Sequence, residues 1–173
     1  MVSQLPRVPT KASAPVSDSQ HLQRLRHTCA HVLAMAVQTL FPETKVTIGP
    51  CTDTGFYYDF DRTDPFTPED LQRIEAEMRR IIWANLPIIR ETVERDDIRA
   101  EIEHMNEPYK LEILDGIPAD EPITRYYIGF PDPLPATVEP SLFDLPPALA
   151  DGKTSCWWDL CAGPHLSRTG ELH

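Results

Sequence analysis

The clearest pattern in the chain is a run of apolar residues with helical spacing. Between Ser19 and Leu40 these residues fall on one side of a 3.6-residue wheel, and Pro42 follows them. The pattern predicts a helix that ends before the proline. The members of its apolar side are Leu22, Leu25, Cys29, Val32, Leu33, Ala36 and Leu40.

A second helix is predicted by a start signal in the sequence. Thr67 is a typical capping residue, Pro68 suits the first helical position, and Asp70 stands three residues after the cap. This helix should run to about Trp83. A shorter helix is predicted over 96–105, and the stretch 109–114 has no clear assignment.

Short stretches rich in β-branched and aromatic residues predict the strands, since turn-forming residues bound each of them. These strands cover 45–49, 56–60, 88–94 and 124–128, and the chain resumes after an interruption at 156–160. The turn between the first two strands is expected at 50–55. Helices and strands mix without a regular βαβ repeat, so we predict an α+β fold with a largely antiparallel sheet packed with helices.

Two segments lack these patterns. Residues 1–20 are rich in Pro, Ser, Ala and Val, which predicts a disordered leader; a transit peptide is a weaker alternative because the segment is not Arg-rich. Residues 131–153 contain prolines spaced too closely for a helix or a central strand. We therefore expect one domain over 21–173, with an exposed Pro-rich insertion at 131–153.

Composition excludes several classes of protein. The chain has 173 residues, 18 of them proline, and a net charge of −11. No apolar run approaches the roughly 18 residues of a membrane span, and no secretory signal is visible. Four scattered cysteines indicate a reduced, cytoplasmic protein. The acidic charge argues against DNA binding, although it allows a local basic groove.

Two pairs of residues have the chemistry of metal ligands. His27 and His31 lie one turn apart on the same face of the first predicted helix, and Cys161 and His165 form a second pair. Nitrogen and sulfur are the ligand atoms of tetrahedral zinc sites, but each pair alone also arises by chance. The histidine face lies opposite the apolar side of the helix. It is therefore either a solvated polar face or one wall of a cleft that another part of the chain covers.

Other candidates are weaker when they are taken singly. Lys110 is an ordinary surface lysine unless a site uses its charge, and Asp159 is a solvated strand end unless it orients a histidine or an amine. Trp157 and Trp158 are typical of a core or of a surface on which a base stacks. Four arginines are possible phosphate contacts, but neighbouring glutamates predict a mixed solvated face. These arginines are Arg73, Arg79, Arg80 and Arg90.

Four motifs in order along the chain carry a family resemblance. They read HTCAHVLAMAVQTLFPETKVTIGP, TGFYYDF, EPYKLEIL and WWDLCAGPH. Over residues 22–168 the chain resembles the editing domain of threonyl-tRNA synthetases, a domain type shared with alanyl-tRNA synthetases and their freestanding relatives. The second and third motifs favour the threonyl branch.

The resemblance implies hydrolysis of seryl-tRNA(Thr), the mischarged product. His27, His31, Cys161 and His165 match the four-residue cluster of the family, Lys110 its site lysine, and Asp159 the acid before the cysteine; Tyr58 matches the aromatic residue at the pocket. His27 and Lys110 would position the attacking water, and Asp159 would hold the amino group of the substrate. No cofactor is required. Zinc at the cluster is an alternative, because alanyl-type relatives bind it there.

The resemblance leaves several alternatives open. No motif of an aminoacylation core can be placed in these residues, so we expect the rest of a synthetase and the 3′ end of tRNA(Thr) as partners. A freestanding trans-editing hydrolase is one alternative. A zinc-stabilised tRNA-binding module without activity is another. Cys161 as a covalent nucleophile is a third possibility, if a neighbouring histidine lowers its pKa.

Overall fold

The computed structural model describes residues 18–136 and 156–173. Its helices and strands alternate irregularly, and all strand pairs are antiparallel, which confirms the predicted α+β class. In chain order the elements are α1 (Asp18–Leu40), β1 (Lys45–Val46), β2 (Phe60–Asp61), α2 (Pro68–Trp83), β3 (Ile88–Val93), α3 (Arg95–Met105), α4 (Pro108–Gly116), β4 (Ile123–Ile128), β5 (Trp157–Leu160) and a final 3₁₀ turn (Thr169–Leu172).

The main sheet has three strands in the order β3-β4-β5. Its strands alternate their side chains between two faces, and directly paired residues point to the same face. One face packs against α3 and α4 through a cluster that includes Tyr127, Trp158 and Leu160 from the sheet and Ile102 and Leu114 from the helices. The opposite face is therefore left for α1 and the functional groups described below.

Helix α1 is buried on more sides than its apolar pattern predicts. Val32 and Val37 pack in a core with α2 and with Ile128 of the sheet, whereas Ala30 and Ala34 pack against β1 and Tyr58. The predicted apolar side is partly wrong at its start, where Leu22 is 43% exposed. The small side chains of Ala30 and Ala34 allow this central position, because β1 and Tyr58 can approach the helix backbone closely.

The structure corrects four boundaries. Strands β1 and β2 are much shorter than 45–49 and 56–60, although backbone hydrogen bonds between 47–48 and Asp59 continue the pairing. The stretch 109–114, left without an assignment, is helix α4, which starts at Pro108. Helix α1 begins at Asp18, within the range expected to be disordered. The rest of that range, 1–17, and most of the predicted insertion, 137–153, lie outside the described residues.

The close approach of Tyr58 to Gly49 explains one interruption of the strands. A Cβ atom on Gly49 would lie 2.0 Å from the ring of Tyr58. Only glycine therefore leaves room for this ring, which is stacked on Phe60 and buried beside α1. The turn predicted at 50–55 is confirmed by the hydrogen bond from the Thr52 amide to the Gly55 carbonyl, 2.8 Å long.

Among the described helices, none combines the length and apolar character needed to cross a bilayer.

We predict that Thr67→Ala lowers the free energy of unfolding by about 1 kcal/mol. The Thr67 hydroxyl accepts the Asp70 amide and the Asp70 carboxylate accepts the Thr67 amide, both at 3.1 Å, so the substitution leaves a helix-terminal N–H without its partner. Urea unfolding followed by circular dichroism measures the change. Thr63→Ala is the control, because Thr63 is exposed and makes no side-chain hydrogen bond within the described residues. Equal stability of the two variants would contradict the capping role.

Candidate active site

Four side chains from two distant parts of the chain converge on one point. His27 and His31 project from α1, and Cys161 and His165 come from the loop after β5. Cys161 Sγ lies 3.3 Å from His27 Nε2 and 3.3 Å from His165 Nε2. One ligand atom from each residue lies within 4.8 Å of the others. The structure thus brings together all four members of the cluster predicted from the sequence.

The loop after β5 reaches α1 because of a tight turn at Gly163. This residue has a φ of 78°, and a Cβ atom there would lie 2.4 Å from the Tyr126 hydroxyl oxygen. Both the backbone conformation and the space therefore require glycine. The turn directs His165 back to α1, where its Nδ1 lies 3.2 Å from Thr28 Oγ1.

Thr28 is a site residue that the sequence analysis missed. Its side chain is fully buried, and its hydroxyl oxygen accepts the Leu166 amide at 3.0 Å while it contacts His165 Nδ1. The hydroxyl therefore fixes both the loop and the orientation of the His165 ring. No signal in the sequence distinguished this threonine, because its partners lie more than 130 positions away.

The histidine face of α1 is covered by the loop after β5 and by Trp157 rather than solvated. His31 is 3% exposed and His165 is 7% exposed, whereas His27 is half-buried. The rings of His31 and His165 lie 4.3 Å apart between centroids, and Trp157 packs edge-on against His31. The prediction that another part of the chain covers this face is confirmed, and the solvated alternative is wrong.

Burial keeps these imidazoles neutral. It is the main cause that lowers the pKa of His27, His31 and His165, and the effect is largest for the two buried rings. The neighbouring histidines lower the pKa of His31 and His165 further. A hydrogen bond to the Pro164 carbonyl and the charge of Asp159 oppose the shift at His27. His27 is therefore a neutral base with partial access to solvent.

The surroundings of Cys161 keep its side chain in the protonated thiol form. Burial raises its pKa to about 12, the Gly163 amide at 3.1 Å acts in the opposite direction, and the charge of Asp159 raises the pKa further. The alternative in which a histidine lowers the pKa of Cys161 is thus not borne out, because both neighbouring rings are neutral. A neutral thiol donates one proton, so Cys161 shapes the cluster rather than supplying a thiolate nucleophile.

The cluster also has the donor set for a metal ion. In tetrahedral zinc sites with nitrogen and sulfur ligands the ligand atoms lie about 3.3–3.6 Å apart. The two sulfur–nitrogen distances of 3.3 Å are close to this range, and the remaining ligand atom is within 4.8 Å. The residues therefore fit zinc, whose binding would displace the Cys161 proton.

A second group of side chains lies beside the cluster. Lys110 of α4 forms a buried ion pair with Asp159 of β5; their side chains are 1% and 6% exposed. The other carboxylate oxygen of Asp159 accepts the Tyr58 hydroxyl at 2.6 Å, and the first oxygen also accepts the Leu160 amide at 2.9 Å. Burial and the charge of Asp159 raise the pKa of Tyr58, so its hydroxyl remains a donor. The three predicted residues Tyr58, Lys110 and Asp159 are thus joined.

A chain of hydrogen bonds connects Trp157 to the base of the cleft. The Trp157 indole N–H donates to Gln38 Oε1 at 2.7 Å, and Gln38 Nε2 donates to Glu107 Oε1 at 2.8 Å. Glu107 is 5% exposed, and its second carboxylate oxygen has no partner among the described residues. No sequence pattern pointed to Glu107, because its hydrogen-bond partner Gln38 lies 69 positions away.

Comparison with known proteins shows which proteins the chain is similar to. No protein-family model matches the chain. Threonine–tRNA ligase of Gloeobacter violaceus is 49% identical over 91% of the chain, and a chloroplastic/mitochondrial threonine–tRNA ligase of Arabidopsis thaliana is 51% identical over 90%. Threonine–tRNA ligase of Synechococcus elongatus is 46% identical over the whole chain. The chain spans only 21%, 20% and 24% of the lengths of these relatives.

These relatives and the α+β fold define a domain related to aminoacyl-tRNA synthetases. More particularly, the chain is similar over nearly its whole length to one segment of threonine–tRNA ligases, which confirms the resemblance to threonyl-tRNA synthetases. The names of these relatives describe the ligases as whole proteins and not this segment.

We predict that the chain loses stability as the pH falls below the ordinary histidine pKa of 6.5. The folded state keeps His31 and His165 neutral, because their pKa values are lowered, whereas the unfolded chain binds a proton at each ring. Between pH 7 and about pH 5.5 the free energy of unfolding should fall by roughly 1 kcal/mol for each ring. Urea unfolding at both pH values, with a chelator present, measures this loss.

The His165→Asn variant should flatten this pH dependence, since one of the two protonation sites is removed. His104→Asn, at an exposed position on α3, should leave the dependence unchanged. A pH slope that is the same in wild type and His165→Asn would show that His165 is not a buried neutral ring.

We predict that Lys110→Met and Asp159→Asn each destabilise the chain by about 3–5 kcal/mol, because each leaves a buried polar group without its partner. The double variant should lose clearly less than the sum of the two losses. Urea unfolding of all three variants gives the coupling energy. Arg79→Met and Glu75→Gln form the matched control, since this exposed pair on α2 should couple by only about 0.3–0.5 kcal/mol. Additive losses at Lys110 and Asp159 would contradict a coupled ion pair.

Proposed function

We propose that this chain is the editing domain of a threonyl-tRNA synthetase and hydrolyses the ester that joins serine to tRNA(Thr). The observation that carries the proposal is a neutral, half-buried His27 close enough to the buried Lys110–Asp159 pair for the charge of Asp159 to raise its pKa against the effect of burial. This arrangement suits the hydrolysis of an activated ester. The segment-wide similarity to threonine–tRNA ligases supports the choice of substrate.

The chemistry of the amino acids explains why such a site is needed. Serine lacks only the methyl group of threonine, and one such group gives roughly 10–200-fold discrimination by binding. A second site that admits serine and excludes threonine multiplies this selectivity. Tyr58 is held by its hydrogen bond to Asp159, and Trp157 packs edge-on against His31. We propose that these fixed side chains leave no room for the added methyl group.

His27 is the proposed general base. Its partial exposure gives a water molecule access, and its lowered pKa leaves a lone pair at neutral pH. The water oxygen attacks the ester carbonyl carbon while His27 accepts a water proton. The bond to the ribose oxygen then breaks, and the ribose oxygen takes up the proton. Lys110 stabilises the negative charge on the carbonyl oxygen.

Asp159 is the proposed ligand of the substrate amino group. Its carboxylate offers about four acceptor positions, of which Lys110, the Leu160 amide and the Tyr58 hydroxyl use three. The remaining position, on the oxygen that accepts Tyr58, is free to accept an ammonium proton. Tyr58 and Lys110 thereby orient the carboxylate before the substrate arrives.

In this proposal the other cluster residues position His27. His31, Cys161 and His165 hold the cleft wall around His27, and Thr28 orients His165. If zinc binds, the four residues His27, His31, Cys161 and His165 would hold it, and the metal would supply a Lewis acid and structural stabilisation. We propose that editing itself requires no metal and no ATP.

The proposed partners are the 3′ end of tRNA(Thr) and the remainder of a threonyl-tRNA synthetase, in the cytoplasm. The net charge of −11 makes tight binding of tRNA by this segment alone unfavourable, so its affinity should be weak and salt-sensitive. A freestanding trans-editing hydrolase is the alternative of the same class, and it uses the same residues in the same roles.

The test is deacylation of Ser-tRNA(Thr) and Thr-tRNA(Thr) by the wild-type chain. We predict selective release of serine, a loss of about 10²-fold or more in His27→Ala, and no loss after treatment with a chelator. His21→Ala is the matched control, because His21 is exposed near the start of the same helix and lies outside the cluster. Circular dichroism confirms that each variant is folded.

Two outcomes would contradict the proposal. A folded wild-type chain that releases neither amino acid would favour the second candidate, a zinc-stabilised tRNA-binding module, which the donor set of the cluster makes chemically reasonable. Stoichiometric zinc whose removal unfolds the chain would identify that module. Serine release that survives His27→Ala but stops after chelation would instead require a metal-dependent reaction.

A further inference from the structure

A row of side chains crosses the sheet at the mouth of the candidate active site. Arg90 of β3 pairs directly with Tyr126 of β4, and Tyr126 pairs directly with Asp159 of β5. Directly paired residues of antiparallel strands project from the same face, so this row leads from the edge of the sheet to the buried ion pair. The ring of Tyr126 also packs against His165, with 4.6 Å between centroids.

Arg90 stands at the outer end of this row and is not neutralised. It is exposed on the edge strand, and its side chain has no ion pair or hydrogen bond to any described residue. The arginines of α2 are different, since Arg73, Arg79 and Arg80 each pair with an acidic residue three or four positions away. The prediction of a mixed solvated face is therefore confirmed for α2.

Arg24 of α1 supplies a second guanidinium group that has no ion pair with any described residue. It precedes His27 by one helical turn on α1, and its Nε atom is buried without a hydrogen-bond partner in the described part of the chain. Burial raises the pKa of Tyr126, whereas Arg90 and Arg24 both lower it. Both positive charges therefore act on the same tyrosine from different elements.

We propose that Arg24 and Arg90 bind phosphate groups of the last nucleotides of an RNA strand, on either side of Tyr126. This inference rests on the proposed function, because the alcohol part of the ester is the terminal ribose of such a strand. Guanidinium groups match phosphate oxygens in a bidentate geometry. The net charge of −11 repels a polyanion from most of the surface. Two arginines without ion pairs to described residues therefore provide a local positive region that a polyanion can approach.

The proposal separates residues that recognise RNA from residues that act on the ester. Arg24 and Arg90 should matter for a substrate that carries phosphates and should be irrelevant for one that lacks them. Two substrates provide this contrast: Ser-tRNA(Thr) and the 3′-serine ester of adenosine, which has no phosphate group. The variants are Arg24→Gln, Arg90→Gln and the double variant. Arg79→Gln is the charge-matched control, on the exposed face of α2.

For Ser-tRNA(Thr) we expect kcat/KM to fall about tenfold for each arginine removed, with kcat at saturation unchanged. The logarithmic salt dependence should become shallower by about 0.7 for each phosphate group that the variant no longer binds. Hydrolysis of the adenosine ester should stay within about twofold of wild type in all variants, because this substrate offers the arginines no phosphate. Arg79→Gln should match wild type with both substrates.

Three results would overturn the inference. One is that Arg24→Gln and Arg90→Gln behave like Arg79→Gln with Ser-tRNA(Thr). Another is that both substrates slow equally, which would show that the arginines support the cleft rather than bind phosphate. The third is an unchanged salt dependence in the double variant.

A binding measurement distinguishes failure of this inference from failure of the proposed function. Fluorescence anisotropy with a short labelled RNA ending in CCA reports binding without any hydrolysis. Loss of this binding in the double variant supports the phosphate contacts even if the wild-type chain hydrolyses neither ester. If the double variant binds this RNA as well as wild type does, and the wild-type chain hydrolyses Ser-tRNA(Thr), the phosphate contacts are overturned and the editing proposal is unaffected.

Discussion

The buried ion pair between Lys110 and Asp159 is the interaction on which the rest of the candidate site depends. It joins α4 to β5, and the Tyr58 hydroxyl ties the same carboxylate to the segment before β2. Two charges withdrawn from water are costly unless they are paired and hydrogen-bonded. Three separate elements are therefore held in one arrangement, and this arrangement fixes the strand that leads into Cys161.

Helix α1 is the second constraint, because it serves the core and the site at once. Ala30 and Ala34 let the helix lie close to β1 and Tyr58, while Val32 and Val37 pack toward α2. The remaining face presents His27 and His31 to the loop after β5. A core helix that is packed on several sides cannot shift, so the imidazoles are positioned before any substrate binds.

Electrostatics divides the cleft into a neutral part and a charged part. Burial keeps His31, His165 and the Cys161 thiol neutral, whereas Lys110 and Asp159 compensate each other. Beyond this interior, Arg24 and Arg90 are the positive groups that face Tyr126. A compensated ion pair inside the proposed site, with positive charge outside it, suits the proposed action on the end of a polyanion.

The sequence by itself determined the helices α1 and α2, the strands of the main sheet and the identity of the cluster residues. These features depend on local signals: helical periodicity, the Thr67–Pro68–Asp70 start and the spacing of histidines and cysteine. Only the tertiary structure decided that the histidine face is covered, that Cys161 lies in a neutral environment, that Thr28 contacts His165, and that Glu107 is buried against Gln38. Burial and pairing between residues far apart in the chain set these properties, and local patterns carry no information about such contacts.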